Sequence, residues 1–155
     1  MNVAELQIGD WVQNPLGLKA TVHSIRYIPK DICDDFGGYY IVRLRVGEGG
    51  WQDLDEGDVK PIPITPEIIE KNGFKIDSRA THWKKYVFVE DVRRIPQTVI
   101  QFSFYEDMSA DTLFKCWTKP ESCDGENNIH ICDLKYVHEL QHAIGLCGIK
   151  KDIVL

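Results

Sequence analysis

Two histidines flank a glutamate near the end of the chain, in the stretch H-E-L-Q-H at residues 138–142. In a helix His138 and His142 lie on one face, because they are four positions apart, and two imidazoles so placed can bind Zn²⁺. Glu139 could then act as general base towards a zinc-bound water. The chemistry that this spacing offers is metal-assisted hydrolysis.

The phase of the surrounding helix opposes that chemistry. At about 100° per residue, Val137, Leu140 and Ile144 fall on one side of the helix, and both histidines fall on the other side. We therefore expect both imidazoles to face water, and not the dry cavity that a catalytic zinc requires. Asp133 is predicted to cap the helix at its N-terminus, and Gly148 to end it.

A catalytic zinc also needs a third protein ligand, and the sequence does not offer a suitable one. Gly148 occupies the position at which the extended H-E-x-x-H-x-x-G-x-x-H pattern requires histidine, and Asp152 is the one carboxylate side chain after the motif. Peptide deformylases combine H-E-x-x-H with an upstream cysteine, and Cys123 lies upstream. The chain lacks the other sequence segments that those enzymes carry. We predict that the chain is not an enzyme and has no catalytic residue, metal or cofactor. A zinc hydrolase using the H-E-L-Q-H motif is the alternative.

Composition and charge describe a folded acidic protein. The 155 residues are 43% hydrophobic and 27% charged, so the chain can bury a core without disulfides or metal. The net charge of −6 is unlike that of proteins that bind phosphate backbones through a basic face. Another protein is therefore the predicted partner, and nucleic acid is disfavoured. No stretch approaches 18 apolar residues, so no membrane span is expected.

The cysteines indicate a reducing compartment. Their number, five, is odd, and no two form a C-x-x-C pair. Cys116, Cys123 and Cys132 are separated by seven and nine positions, whereas structural zinc sites favour much tighter pairs, so a site built from these cysteines and His130 is not expected. The first residues also lack an apolar leader. These features together predict a cytoplasmic protein with reduced thiols.

Residues 1–64 predict an SH3-like small β-barrel. Strands are expected to begin near Trp11 and to cover residues 19–28 and 39–46, followed by a short strand or 3₁₀ turn after residue 50. In the segment 39–46 the side chains alternate between two faces. One face carries Tyr40, Val42, Leu44 and Val46, and the other carries Tyr39, Ile41, Arg43 and Arg45. Both faces of the segment 19–28 are mixed, so the pattern does not show which face is buried.

The remainder of the chain is predicted to contain a linking helix and loop at 65–83 and an antiparallel sheet with one helix at 84–155, which makes the fold class α+β. Thr65 is the expected cap of the first helix, with Pro66 at its first position and Asn72-Gly73 at its end. The predicted strands cover residues 84–92, 98–106, 112–118 and 128–134, the last helix covers 134–147, and the final D-I-V-L segment is a possible edge strand.

Aromatic residues are concentrated in the predicted barrel, at Trp11, Tyr27, Tyr39, Tyr40 and Trp51. Barrels of this type bind peptides through grooves lined with aromatic side chains. The same rings can instead fill a small core, which fits Trp11 and Tyr40 at least as well. Trp51 follows two glycines and precedes an acidic run, so we expect it to be exposed. Tyr39 and Trp51 are the predicted binding residues.

Three segments together resemble a family of small proteins of uncharacterised function from gut anaerobic bacteria and their prophages or mobile elements. These are E-L-Q-I-G-D-W-V near the start, P-I-P-I-T-P-E-I-I-E-K-N-G-F in the middle and K-Y-V-H-E-L-Q-H-A-I-G-L-C-G-I near the end. In that family the positions of Glu139 and His142 are often Gln and Asn, which could not perform zinc chemistry. The resemblance therefore implies a structural role for the last helix and a phage or mobile-element origin. The acidic segment 29–38 is the main departure from the family pattern.

Overall fold

The structure is a computed structural model that describes residues 2–29, 37–76, 85–91, 99–106, 114–119, 129–146, 149 and 151–155. Its fold class is α+β, as predicted. The chain divides into two compact units, Met1–Pro63 and Ile64–Leu155. Over the described residues, each unit contains one five-stranded antiparallel sheet, and both α-helices belong to the second unit.

The first unit is a curled antiparallel sheet whose strands follow the predicted segments. They are β1 (Trp11–Gln13), β2 (Lys19–Ile28), β3 (Tyr39–Val46), β4 (Gly50–Asp55) and β5 (Lys60–Pro61), arranged in the order β4-β3-β2-β1-β5. Short 3₁₀ turns at Val3–Glu5 and Glu56–Asp58 complete the unit. Val12, Ala20, Val22, Val42 and Leu44 are almost fully buried and form the centre of its core.

A bulge in β2 decides which of its side chains are buried. Val22 pairs with Leu44, and the next paired residue, Ser24, lies opposite Arg43, so the register shifts at His23. An inserted residue moves every later side chain to the opposite face. Ile25 therefore joins Ala20 and Val22 on the core side, which a simple alternation would forbid.

The turn between β1 and β2 depends on one buried amide. The side-chain oxygen of Asn14 accepts hydrogen bonds from the backbone N–H groups of Leu16 and Leu18, at 3.0 and 2.8 Å. Its Nδ2 donates to Gln52 Oε1 at 3.0 Å, which connects the turn to β4. Gly17 has a φ of 78°, a conformation that glycine adopts without steric cost. These bonds set the position of β4 relative to the turn.

The second sheet confirms the predicted meander and adds one strand. Its strands are β6 (Lys75–Ile76), β7 (Lys85–Asp91), β8 (Val99–Glu106), β9 (Phe114–Lys119) and β10 (Ile129–Leu134), in the order β10-β9-β8-β7-β6. The prediction of a loop from residue 75 was wrong at its first two positions, because Lys75 and Ile76 pair with Val87 and Tyr86. The rest of that predicted loop, 77–83, lies outside the described residues.

Helix α1 (Pro66–Lys71) begins and ends where its sequence predicts. The Thr65 hydroxyl accepts a hydrogen bond from the Ile68 N–H at 3.4 Å, and Pro66 is the first helical residue. Gly73 has a φ of 81° and its N–H donates to the Glu70 carbonyl at 2.9 Å. This left-handed residue after the last turn ends the helix.

The last described segment, 151–155, is not the edge strand that D-I-V-L suggested. The side chain of Asn72 is only 2% exposed and makes two hydrogen bonds with the Val154 backbone. Its Nδ2 donates to the Val154 carbonyl at 2.8 Å, and its Oδ1 accepts from the Val154 N–H at 2.9 Å. Its Nδ2 also donates to the Ile68 carbonyl at 2.8 Å. An amide side chain thus supplies the pairing that a neighbouring strand would otherwise provide.

Within the described part of the chain, none of the helices combines the length and apolar character needed to cross a lipid bilayer. Of the predicted acidic segment 29–38, residues 30–36 lie outside the described residues. Cys33, Cys123, Cys147 and Gly148 also lie outside them.

Candidate functional site

The side of the first sheet that faces away from the core forms one continuous surface, which we call the outer face. Val42 and Leu44 of β3 are fully buried, so the alternate residues of that strand point the other way. Cross-strand pairing places residues of β2 and β4 beside them. The outer face consists of Tyr39, Ile41, Arg43 and Arg45 from β3, Trp51, Asp53 and Asp55 from β4, Thr21, Ser24 and Arg26 from β2, and Trp11 from β1.

Trp51 is the most prominent apolar side chain on the outer face. Its side chain is 55% exposed although it lies on a regular strand, directly opposite Arg45. The indole contacts the imidazole of His23, with ring centroids 4.5 Å apart and planes tilted by 57°. His23 is the residue inserted at the bulge in β2. The bulge therefore places a second ring beside the indole.

Tyr39 lies on the same face as Trp51, at the opposite end of β3. It is half-buried and pairs with Ile28. It is six positions from Arg45, the cross-strand neighbour of Trp51, which corresponds to about 20 Å of extended strand. The two predicted binding residues thus mark the ends of one surface and do not form a compact site.

The other aromatic residues of the first unit take different positions. Tyr40 packs against the core, as expected for a ring that fills a small barrel. Tyr27 is 52% exposed, and its ring lies 5.1 Å from that of Tyr40. Trp11 is half-buried. Tyr27 and Tyr40 face each other across β2 and β3 on the core side, whereas Trp11 pairs with Thr21 in the cross-strand row of Arg45 and Trp51 and therefore belongs to the outer face.

An ion pair crosses the centre of the outer face. Arg43 donates from Nε and Nη2 to the two carboxylate oxygens of Asp53, at 2.6 and 2.8 Å. Hydrogen bonding to Arg43 lowers the pKa of the Asp53 carboxyl, and the charges of Arg43 and Arg26 lower it further against a partial desolvation. Asp53 therefore stays ionised, and the pair persists until the pH falls through that lowered pKa.

A depression of about 110 Å³ lies beside this ion pair. The residues that line it are Ser24, Arg26, Ile41, Arg43 and Asp53, which bring two guanidinium groups, a carboxylate, a hydroxyl and one apolar side chain together. The sequence pattern does not reveal this group of residues. They belong to three strands, and the bulge that turns Ser24 and Arg26 outwards leaves no mark in the pattern of β2.

The H-E-L-Q-H motif lies in helix α2 (Val137–Leu146), and one of its histidines is not where we expected it. Val137, Leu140 and Ile144 are buried, as predicted, but His138 is only 1% exposed. Its ring stacks on that of Tyr136 with centroids 5.8 Å apart. His142 is half-buried and meets His138 edge-on at 6.0 Å. The first turn is covered on more sides than the last, in which Leu146 is 81% exposed.

Glu139 caps the helix that contains it. Its Oε2 accepts hydrogen bonds from the backbone N–H groups of Lys135 and Tyr136, at 2.6 and 2.9 Å. A glutamate at the third helical position commonly reaches back in this way. The prediction that Asp133 caps the helix was wrong, because Asp133 belongs to β10 and pairs with Lys115.

The far end of α2 closes with a hydrogen bond from the Ile149 N–H to the Ile144 carbonyl at 3.2 Å. A bond over five positions is the usual closure of a helix that ends in a left-handed residue. The residue predicted for that role, Gly148, lies outside the described residues. Among the residues that the structure does describe, no three His, Cys, Asp or Glu side chains are grouped to hold a metal ion.

Replacement of Glu139 by alanine tests its capping role. Removal of a charged acceptor from two backbone donors is expected to lower the free energy of unfolding by about 1–2 kcal/mol. Glu139→Gln retains an acceptor oxygen and should lose less than half of that amount. Urea denaturation monitored by circular dichroism measures both variants. Equal losses in the two variants would contradict the capping role.

Comparisons of the chain with protein-family models, with curated proteins and with solved structures return no match.

Proposed function

We propose that the protein is a non-enzymatic adaptor whose first unit binds another protein through the outer face. The exposed indole of Trp51 is the observation that carries this proposal. A large aromatic side chain that is exposed to solvent, but is held on a strand beside a second ring, is typical of the centre of a protein interface. The neighbouring arginines and carboxylates would supply the polar contacts around it.

We further propose that the first unit is an SH3-like barrel. Five antiparallel strands in a curled sheet, with a 3₁₀ turn before the last strand, support this proposal. Modules of this kind bind extended peptides along a face with exposed aromatic side chains. The roughly 20 Å between Tyr39 and the Trp51 position would accommodate about six extended residues.

The non-enzymatic part of the proposal is supported by the use that the structure makes of Glu139. This carboxylate accepts hydrogen bonds from two backbone N–H groups and so stabilises the start of the helix. A general base must instead be directed towards a bound water. Lys135, at 5.9 Å from the Tyr136 ring centroid, adds a cation to the same region, which disfavours a metal dication. We also propose a cytoplasmic location, from the cysteine pattern, and a phage or mobile-element origin, from the resemblance.

Replacement of Trp51 by alanine tests the binding role. We expect Trp51→Ala to weaken capture of the partner at least about tenfold, because aromatic residues at interface centres dominate binding energy. The assay is affinity capture from bacterial lysate on immobilised full-length protein, with quantification of each retained protein. Circular dichroism should show an unchanged fold, since more than half of the side chain is already exposed.

Leu16→Ala is the matched control, because Leu16 is 80% exposed but lies in the turn before β2 and not on a strand of the outer face. A genuine partner should be retained by Leu16→Ala and lost by Trp51→Ala. Equal retention of every captured protein by the wild type and both variants would refute the proposal.

A further inference from the structure

We infer that the depression between Arg26 and Arg43 receives one carboxylate side chain from an acidic, extended segment of the partner protein, which also packs on Trp51. This inference rests on the proposed function and specifies the chemistry of the segment that the outer face would bind. The ligand class is an acidic peptide, recognised through a single aspartate or glutamate.

The charges around the depression favour an anion. Arg43 is paired with Asp53 through two short hydrogen bonds, so these two charges balance. Arg26 forms no hydrogen bond or ion pair with any of the described residues. Its positive charge nevertheless helps to lower the pKa of the Asp53 carboxyl. Three arginines of the outer face, Arg26, Arg43 and Arg45, stand against two carboxylates, Asp53 and Asp55, so one positive charge is in excess, and a single carboxylate would neutralise it.

The available donors match the two oxygens of a carboxylate. A guanidinium has five N–H donors, and Arg43 uses only two of them on Asp53. Arg43, Arg26 and Ser24 all line the depression, so their further donors are available to a group that enters it. Its volume of about 110 Å³ is below that of ordinary small-molecule sites. It fits the end of one side chain, which is what a peptide would insert.

The distance to Trp51 matches the geometry of an extended chain. Trp51 lies in the cross-strand row of Arg45, Asp53 lies in the next row with Arg43 and Ser24, and Arg26 lies one row further with Ile41. Successive rows on one face are about 7 Å apart, so the depression is about 7–14 Å from the indole along the strands. Side chains two or four positions apart on an extended peptide span that distance. The expected recognition pattern is an apolar residue followed or preceded, at two or four positions, by an acidic one.

Binding of matched peptides to the full-length protein tests this inference. The probes are nine-residue peptides from an array, each with an aromatic or aliphatic residue and, two or four positions away, Glu in one version and Gln in the other. We expect the Glu version of binding peptides to bind at least about tenfold more tightly, since a charge-assisted bond is lost in the Gln version. Fluorescence anisotropy measures each affinity.

Arg26→Gln should abolish the preference for Glu over Gln, and it removes none of the hydrogen bonds within the described residues. Arg45→Gln is the matched control, because Arg45 is on the same face but does not line the depression, and it should retain the preference. Trp51→Ala should weaken both peptide versions equally.

The outcomes separate this inference from the proposed function. Peptides that bind in a Trp51-dependent manner with equal affinity for Glu and Gln would overturn the carboxylate site and leave the binding module intact. A third peptide version, with phosphoserine at the acidic position, would overturn the carboxylate assignment if it bound far more tightly than Glu. Failure of every peptide to bind would overturn both proposals.

Discussion

Leu140→Ala is expected to lower the free energy of unfolding of the second unit by about 2–5 kcal/mol, the usual range for deletion of a buried leucine side chain. Leu140 is fully buried in α2, between Val137 and Ile144 on the apolar side of the helix. The substitution removes the contacts of that side chain and leaves a cavity that the surrounding core cannot fill completely. Urea denaturation monitored by circular dichroism measures the loss.

Leu146→Ala on the same helix is the control, because it makes the same chemical change at a side chain that is 81% exposed. Its expected effect is below about 0.5 kcal/mol. Similar losses for the two variants would mean that α2 does not pack through the Val137–Leu140–Ile144 side. The structural account of the H-E-L-Q-H segment would then fail.

Asn72→Ala is expected to destabilise the second unit by about 2–4 kcal/mol, more than an ordinary substitution at the end of a helix. The buried amide makes three hydrogen bonds, to the Ile68 carbonyl and to both backbone groups of Val154. Alanine leaves these partly buried backbone groups without their side-chain partner, and polar groups that lose a partner when removed from water are costly. Residues 151–155 should also become more accessible, which hydrogen exchange at Val154 would show as a loss of protection.

Lys71→Ala is the control for that experiment. Lys71 is the neighbouring residue, and its ammonium donates to the Leu155 carbonyl, but the side chain is exposed. Because exposed pairs contribute little, the expected loss is below about 1 kcal/mol and protection at Val154 should persist. A Lys71 variant as unstable as the Asn72 variant would show that the amide is not what holds the last segment.

Local sequence signals predicted the secondary structure well where each signal acts over a few residues. The cap at Thr65, the proline at the first position of α1 and the glycine after it act through hydrogen bonds and backbone angles inside one segment. The alternation in β3 likewise predicts its buried face, because consecutive side chains of a strand point to opposite sides. Such features need no knowledge of distant residues.

The environment of the H-E-L-Q-H motif could not be predicted in the same way. Helix phase separates the Leu140 side from the His142 side, but it assumes that a helix is covered equally along its length. The first turn of α2 follows β10 directly, and the Ile64 N–H donates to the Lys135 carbonyl beside it at 2.9 Å. His138, which phase alone assigned to water, is buried in this turn, with its ring stacked on that of Tyr136.

The sequence by itself determined the α+β class, the two ends of α1 and the inner and outer residues of β3, because these follow from patterns confined to single segments. The tertiary structure alone decided the burial of His138 and the meeting of Ser24, Arg26, Arg43 and Asp53 on one face. The second outcome depends on the bulge at His23, which forms only when β2 pairs with β3. Register is a property of two strands together, so the sequence of one strand does not reveal which side chains it turns towards a ligand.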